Sequence, residues 1–200
     1  MKELDRRMAL GALVNRWITG WTKIAGLVRE PRARRVLTDE GETSWHATQM
    51  EKGDWITVPT NAPEQVTAIL TGVGLKVRPR ETFMRRLLTN HPAPEAPDGY
   101  TVEVTREDVV IEVRVLRDGA EAASGLIAVV GEDAVPHGIA TTPGHRRRGL
   151  ASVVMGVLAR EAVAAGATTG LLFASEDGLP VYRTLGWEAV SDVVIAEGKS

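Results

Sequence analysis

The run Arg146-Arg147-Arg148-Gly149-Leu150-Ala151 constrains this chain more than any other feature. It stands between an apolar strand expected over 137–142 and a helix with an apolar face expected over 150–165. A tight turn from strand to helix leaves the first amides of the helix without carbonyl partners. The helix dipole adds partial positive charge at the same place. Three arginines reinforce it, and together these are the physical requirements of a diphosphate cradle. The glycines do not form Gly-x-Gly-x-x-Gly, and the strand expected over 169–174 carries no acidic residue. A dinucleotide site of the Rossmann kind is therefore a poor match.

Composition narrows the partners. The net charge of −2 lacks the basic excess of a nucleic-acid or anionic-membrane binder, so the arginines read as a local anion site. With no cysteine in the chain, disulfides, thiolate zinc sites and cysteine nucleophiles are excluded, which fits a reducing cytoplasm. The four histidines show no metal-ligand spacing, and no metal site is expected. No apolar run is long enough to span a membrane, and the charged start of the chain does not resemble a signal peptide.

The 200 residues divide at 91–99, where three prolines in six residues suit neither helix nor central strand. The expected arrangement is an N-terminal α/β domain over 1–90, a proline-rich linker over 91–99 and a second domain over 100–200. Each half is small for an independent core, so they are expected to pack together. The first half opens with a helix carrying Leu4, Met8, Leu10, Leu13, Val14, Trp17, Ile18, Trp21, Ile24 and Val28 at helical spacing, ended by Pro31. Strands are expected at 35–38, 44–50, 55–58 and 82–88, with a helix at 63–72. In the second half, 101–105, 109–116 and 123–130 alternate as strands, with Asp118-Gly119 as a hairpin turn. After 137–142 and the 150–165 helix come a strand at 169–174, a short helix at 178–185 and a last strand at 187–196. This is a mixed α/β layer with helices on the faces of its sheet. Trp17, Trp21, Trp45 and Trp55 are expected in the core or between the halves, with a lesser prospect that Trp45 or Trp55 faces an acceptor.

Two motifs carry a resemblance. Arg146, Gly149 and Ala151 meet Gln/Arg-x-x-Gly-x-Gly/Ala, and Ser175-x-x-Gly178-x-x-x-Tyr182-x-x-x-Gly186-Trp187 follows the pattern Asn-x-x-Ala-x-x-x-Tyr-x-x-x-Gly-aromatic. Over roughly 100–196 the chain thus resembles the Gcn5-related N-acetyltransferase (GNAT) family, in the form common in high-GC Gram-positive bacteria. It departs in having Ser175 for asparagine, Gly178 for alanine, and Gly170 where some members carry a glutamate base. The strand and two helices that wall the family's acceptor site have no match before Tyr100. The first half is therefore expected to supply that wall, as a smaller domain packed against a GNAT-like fold and conceivable as a degenerate half of it.

The resemblance implies acetyl-CoA as co-substrate and transfer of its acetyl group to a primary amine, on a small molecule or a protein. The backbone of Ile139, Ala140 and Thr141 would pair with the pantetheine arm, and a strand amide near Ala140 or Thr141 would polarise the thioester. Cofactor contacts fall to Arg146, Arg147, Arg148, Gly149, Leu150, Ala151 and Ser152, with Ser175 either on the pantetheine or capping a helix. Tyr182, with an ordinary phenolic pKa near 10, would be the general acid for the departing thiolate. His137, Glu132, Glu176 or a water chain could serve as base, or the amine could arrive already neutral, and His145 is expected to have no chemical duty. The alternative is an acetyl-CoA-binding regulatory module without catalysis. A cationic acceptor such as a polyamine or aminoglycoside suits the charge, but −2 does not select it. A homodimer is common in such folds through the last strand or the acceptor-side helices, and the apolar stretch 190–196 would permit it.

Overall fold

The computed structural model describes residues 3–28 and 34–198. Helix α1 (Glu3–Val28) is followed by β1 (Arg34–Val36), a 3-10 turn at Glu40–Glu42, and α2 (Thr43–Thr48). Next come β2 (Trp55–Thr60), α3 (Pro63–Gly72), β3 (Lys76–Val77) and β4 (Glu81–Leu87). The second half runs β5 (Tyr100–Glu107), β6 (Val110–Arg117), β7 (Ala120–Val130) and β8 (Asp133–Thr141). A 3-10 turn at Pro143–His145 leads to α4 (Leu150–Ala164), β9 (Thr169–Ala174), α5 (Leu179–Thr184) and β10 (Glu188–Glu197). The mixed α/β class is as expected. The expected end of the first helix at Pro31 lies outside the described residues.

The expected strand at 44–50 is instead the helix α2. Asp39 accepts a hydrogen bond from the Gly41 amide and starts a helical turn, and the buried Thr43 hydroxyl donates back to the Glu40 carbonyl. These local bonds outweigh the apolar-polar alternation of Trp45, Ala47 and their neighbours.

All ten strands form one sheet, ordered β1-β2-β10-β4-β9-β8-β7-β6-β5, with β3 also pairing β10. Strand β4 of the first half lies between β9 and β10 of the second, antiparallel to both. From β1 to β8 the order is the same from either side: β1 is parallel to β2, β8 is parallel to β9, and the inner pairs are antiparallel. The two strand–helix–strand units, β2–α3–β4 and β9–α5–β10, have in effect exchanged their last strands. That symmetry fits a first half built as a degenerate copy of the second. Over 192–197 β10 is paired with β2 on one edge and with β4 and β3 on the other, so this part of the strand offers no open edge to a second copy.

Alternation along each strand sends one set of side chains to each face. Phe83, Val135, Leu171, Val193 and Ile195 meet Leu10, Val14, Trp17 and Trp21 of α1. Met84, Ile127, Leu172 and Ala174 point the other way, toward Val154, Met155 and Leu158 of α4. Ile56, Val58 and Val194 meet Val66 and Leu70 of α3. Each fully buried aliphatic or aromatic side chain contributes roughly 1.5–3 kcal/mol. Trp17 and Trp21 are thus core residues, whereas Trp45 is 63% exposed and packs in no core. Among the described residues, no helix is long and apolar enough to cross a membrane.

The proline-rich segment is pinned at its N-terminal end. A Cβ at Gly156 of α4 would meet the backbone of Pro92 and Ala93. The Trp187 indole N–H donates to His91 Nε2 at 3.2 Å, while His91 Nδ1 lies 2.8 Å from the Pro92 carbonyl. Both contacts suit a neutral imidazole, and burial first, then Arg86, hold the His91 pKa below its ordinary value despite the Pro92 bond. A histidine with a depressed folded pKa binds its proton more readily once unfolded. Its stabilisation is therefore complete above about pH 6.5 and declines as pH falls from there toward the folded pKa. Denaturant midpoints from pH 7.5 to 5 should fall less steeply for His91→Gln than for the parent; identical slopes would contradict this.

Candidate active site

Strands β8 and β9 pair in parallel only at Asp133–Thr169 and Ala134–Gly170, and beyond these they diverge. Next to the splay, the β7–β8 ladder bulges, with Gly125 facing both Gly138 and Ile139. A wedge therefore opens in the middle of the sheet, with Ile139, Ala140 and Thr141 on one wall.

The arginine turn closes one end of this wedge. Thr142 ties the end of β8 to the Ala122 carbonyl, through its amide at 2.9 Å and its hydroxyl at 3.1 Å. Arg146 Nε reaches back to the Thr141 carbonyl at 3.3 Å. Tyr100 of β5 hydrogen-bonds His145 Nδ1 at 2.8 Å, so His145 has a structural duty that its sequence context did not suggest. Arg147 and Gly149 both take the left-handed conformation, with φ of 60° and 78°. Gly149 then stands at the N-cap of α4, where glycine adopts that geometry at little cost. The amides of Arg147 to Ala151 meet no acceptor among the described residues, while those of Ser152 and Val153 bond the Gly149 carbonyl. The orphan donors expected of a diphosphate cradle are thus present.

Tyr182 stands at the other end. Helix α5 begins where β9 stops, and the Gly178 amide donates to Ser175 Oγ at 3.3 Å. Ser175 thereby caps the turn into α5 as well as facing the cleft. The Tyr182 ring lies over Gly178 and edge-on to Trp187, centroids 6.2 Å apart. Its hydroxyl makes no hydrogen bond to a described residue, unlike that of a core tyrosine tied off by a neighbour. The expectation of an ordinary phenolic pKa is corrected: burial first, then the Glu81 charge, push it up to about 12. The missing glutamate at Gly170 also has a physical reason, since any Cβ there would come within 2.5 Å of the Trp187 ring.

These elements enclose a cleft of about 670 Å³. It is lined by Ile139, Ala140, Thr141, Arg146, Arg147, Gly149, Leu150, Ala151, Ser152, Ser175 and Tyr182, together with Asp177, Gly178 and Val181. Every expected site residue but one is brought together. Arg148 does not line the cleft.

A second chamber of about 200 Å³ shares Ile139, Ser175 and Tyr182 with the first and leads to the α1 side of the sheet. Its other walls are Trp17, Arg34, Glu81, Pro136, His137, Gly138 and Phe173. From the first half, α1, β1 and β4 contribute to its walls through Trp17, Arg34 and Glu81. Of the expected bases, His137 reaches this chamber, whereas Glu132 and Glu176 line neither cavity. Glu81 was missed from sequence. It opens an ordinary charged strand, and only the insertion of β4 beside β9 places it near Tyr182. Burial raises the Glu81 pKa above its ordinary value, and the Arg34 charge partly offsets that.

Residues 133–190 match the family model described as an acetyltransferase (GNAT) domain. A GCN5-related N-acetyltransferase from Kribbella flavida has the same fold, with a TM-score of 0.62 and 18% identity over 81% of this chain and 77% of that one. A tandem GNAT protein from the clavulanic acid biosynthesis pathway superposes with a TM-score of 0.55 at 13% identity, covering 80% and 69% of the two chains. A GCN5-related N-acetyltransferase from Sphaerobacter thermophilus gives a TM-score of 0.56 at 14% identity, covering 72% and 59%. No curated protein matches the sequence. Over 133–190 the chain is similar to a GNAT acetyltransferase domain, and its fold is GNAT-like. The domain match supports an acyltransferase.

Proposed function

We propose that this protein is an N-acyltransferase that moves the acetyl group of acetyl-CoA to a primary amine by direct attack. One observation carries the reading: the orphan amides of the 147–151 turn and the unbonded hydroxyl of Tyr182 open into the same cleft. The turn would hold the diphosphate, with Arg146 and Arg147 adding charge. Ile139, Ala140 and Thr141 would run beside the pantetheine arm, which brings the thioester toward the Ser175–Tyr182 end. The acyl donor supplies an activated carbonyl carbon. The amine nitrogen forms the new C–N bond, the C–S bond breaks, Tyr182 hands its proton to the departing sulfur, and the proton that nitrogen loses as the amide forms returns to the phenol oxygen. The raised pKa keeps the phenol in its proton-bearing form throughout the neutral range, and transfer to sulfur relies on its placement beside the leaving group.

Release of coenzyme A thiol across a panel of primary amines tests this, with calorimetry on acetyl-CoA run in parallel. Amine-dependent release with saturable binding is expected. Binding without turnover on any amine would instead favour a regulatory acetyl-CoA-binding module, and no binding would remove the reading.

A further inference from the structure

The second chamber differs in character from the cleft. Trp17 and Phe173 stack there with centroids 4.0 Å apart and interplanar angle 12°, giving it a flat apolar wall. Glu81 and Arg34 are its carboxylate and guanidinium, so they bring no net charge. Thr82 pairs with Ala174, which sets Glu81 level with Ser175 at the end of β9. Tyr182 faces both spaces, so the chamber meets the cleft where the reacting carbonyl would lie.

We infer that this chamber is the acceptor site for a small primary monoamine with an apolar body, which Glu81 holds by its ammonium and relieves of its proton. The inference rests on the proposed acyltransferase reading and names its acceptor and its base. A carboxylate beside an aromatic wall suits an alkylammonium on a hydrophobic group. A diamine's second ammonium would meet the Arg34 guanidinium, which repels it. Glu81 lies outside the 133–190 match, so the base would come from the half of the chain that the domain model does not cover.

The protons balance as follows. Glu81 takes one from the ammonium, leaving a lone pair on nitrogen. That nitrogen bonds the carbonyl carbon as the C–S bond breaks, and the Tyr182 proton passes to sulfur. The second nitrogen proton, lost as the amide forms, returns to the Tyr182 oxygen, and Glu81 releases its own to solvent. The two residues assist each other, because a neutral Glu81 no longer opposes charge on the phenol.

The test uses phenethylamine, 1,4-diaminobutane and a lysine-containing peptide, titrated calorimetrically into the protein loaded with free CoA. Phenethylamine should bind best. Glu81→Gln should weaken it at least tenfold, with Glu81→Asp retaining part of the affinity and CoA affinity unchanged within about twofold. On an amine that the parent acetylates, Glu81→Gln should lower kcat/KM on the order of 100-fold and abolish the acid limb of its pH profile. The charged and titratable groups facing Glu81 are Arg34 on β1, His137 on β8 and Tyr182 on α5. His137→Gln should leave the limb in place. Phenethylamine binding unchanged by Glu81→Gln, or peptide binding as tight as that of the monoamine, would overturn the inference. So would an acid limb that follows His137. Failure of the parent to bind CoA at all would strike at the acyltransferase reading instead.

Discussion

Tyr182→Phe is expected to lower kcat on the best amine by on the order of 100-fold while leaving acetyl-CoA affinity within about twofold. The ring would stay where it is, because Gly178 and Trp187 touch its carbon edges and the hydroxyl holds no described partner. The substitution therefore removes a proton donor and little else. Positioned proton transfer contributes typically 10²–10⁴-fold, which sets the scale of the loss. Because the phenol is pushed up to about 12, it stays protonated from pH 7 to 10, and the parent rate should show no decline over that range from Tyr182. Single-turnover rates and calorimetry separate the two effects. A variant within threefold of the parent would mean that sulfur leaves without help from the phenol.

Gly149→Val is expected to weaken acetyl-CoA binding by on the order of 100-fold while costing the fold much less. At φ 78° a β-branched residue is strained by roughly 1–3 kcal/mol. Yet a Cβ at this position would meet no protein atom within 4 Å, so nothing in the folded chain is pushed aside. The added atoms would stand in the cleft, where the diphosphate is proposed to approach the orphan amides. A tenfold change in affinity corresponds to 1.4 kcal/mol, so about 3 kcal/mol of lost diphosphate contact is implied. Gly149→Ala separates the terms, since it carries most of the backbone strain and only a methyl group. Its affinity should fall about tenfold. Equal binding by all three proteins, with stability alone reduced, would place the diphosphate elsewhere.

Much of the site was legible because its chemistry is local. The strand, glycine turn and helix around Arg146–Ala151 follow from a few neighbouring residues, as does the spacing that puts Tyr182 on a short helix after β9. The hairpins were legible too: Asp118 and Gly119 take φ of 52° and 79°, the left-handed pair such a turn requires. What escaped depends on long-range placement. Nothing in Arg80-Glu81-Thr82 shows that this strand slides between β9 and β10 to reach Tyr182. The raised phenol pKa comes chiefly from burial, and the same insertion adds the Glu81 charge. Trp187 explains the bare Gly170 only once the ring is seen against it. The misread segment at 44–50 failed for the opposite reason, because the Asp39 and Thr43 side-chain bonds decided a stretch whose alternation alone suggested a strand.

The crystal structure of the complex with acetyl-CoA tests the central claim most directly. It should show the diphosphate on the amides of Arg147 to Ala151, and the sulfur within about 3.5 Å of the Tyr182 oxygen, a hydrogen-bonding separation. A diphosphate bound away from α4, or a sulfur on the far side of Trp187 from that hydroxyl, would contradict it.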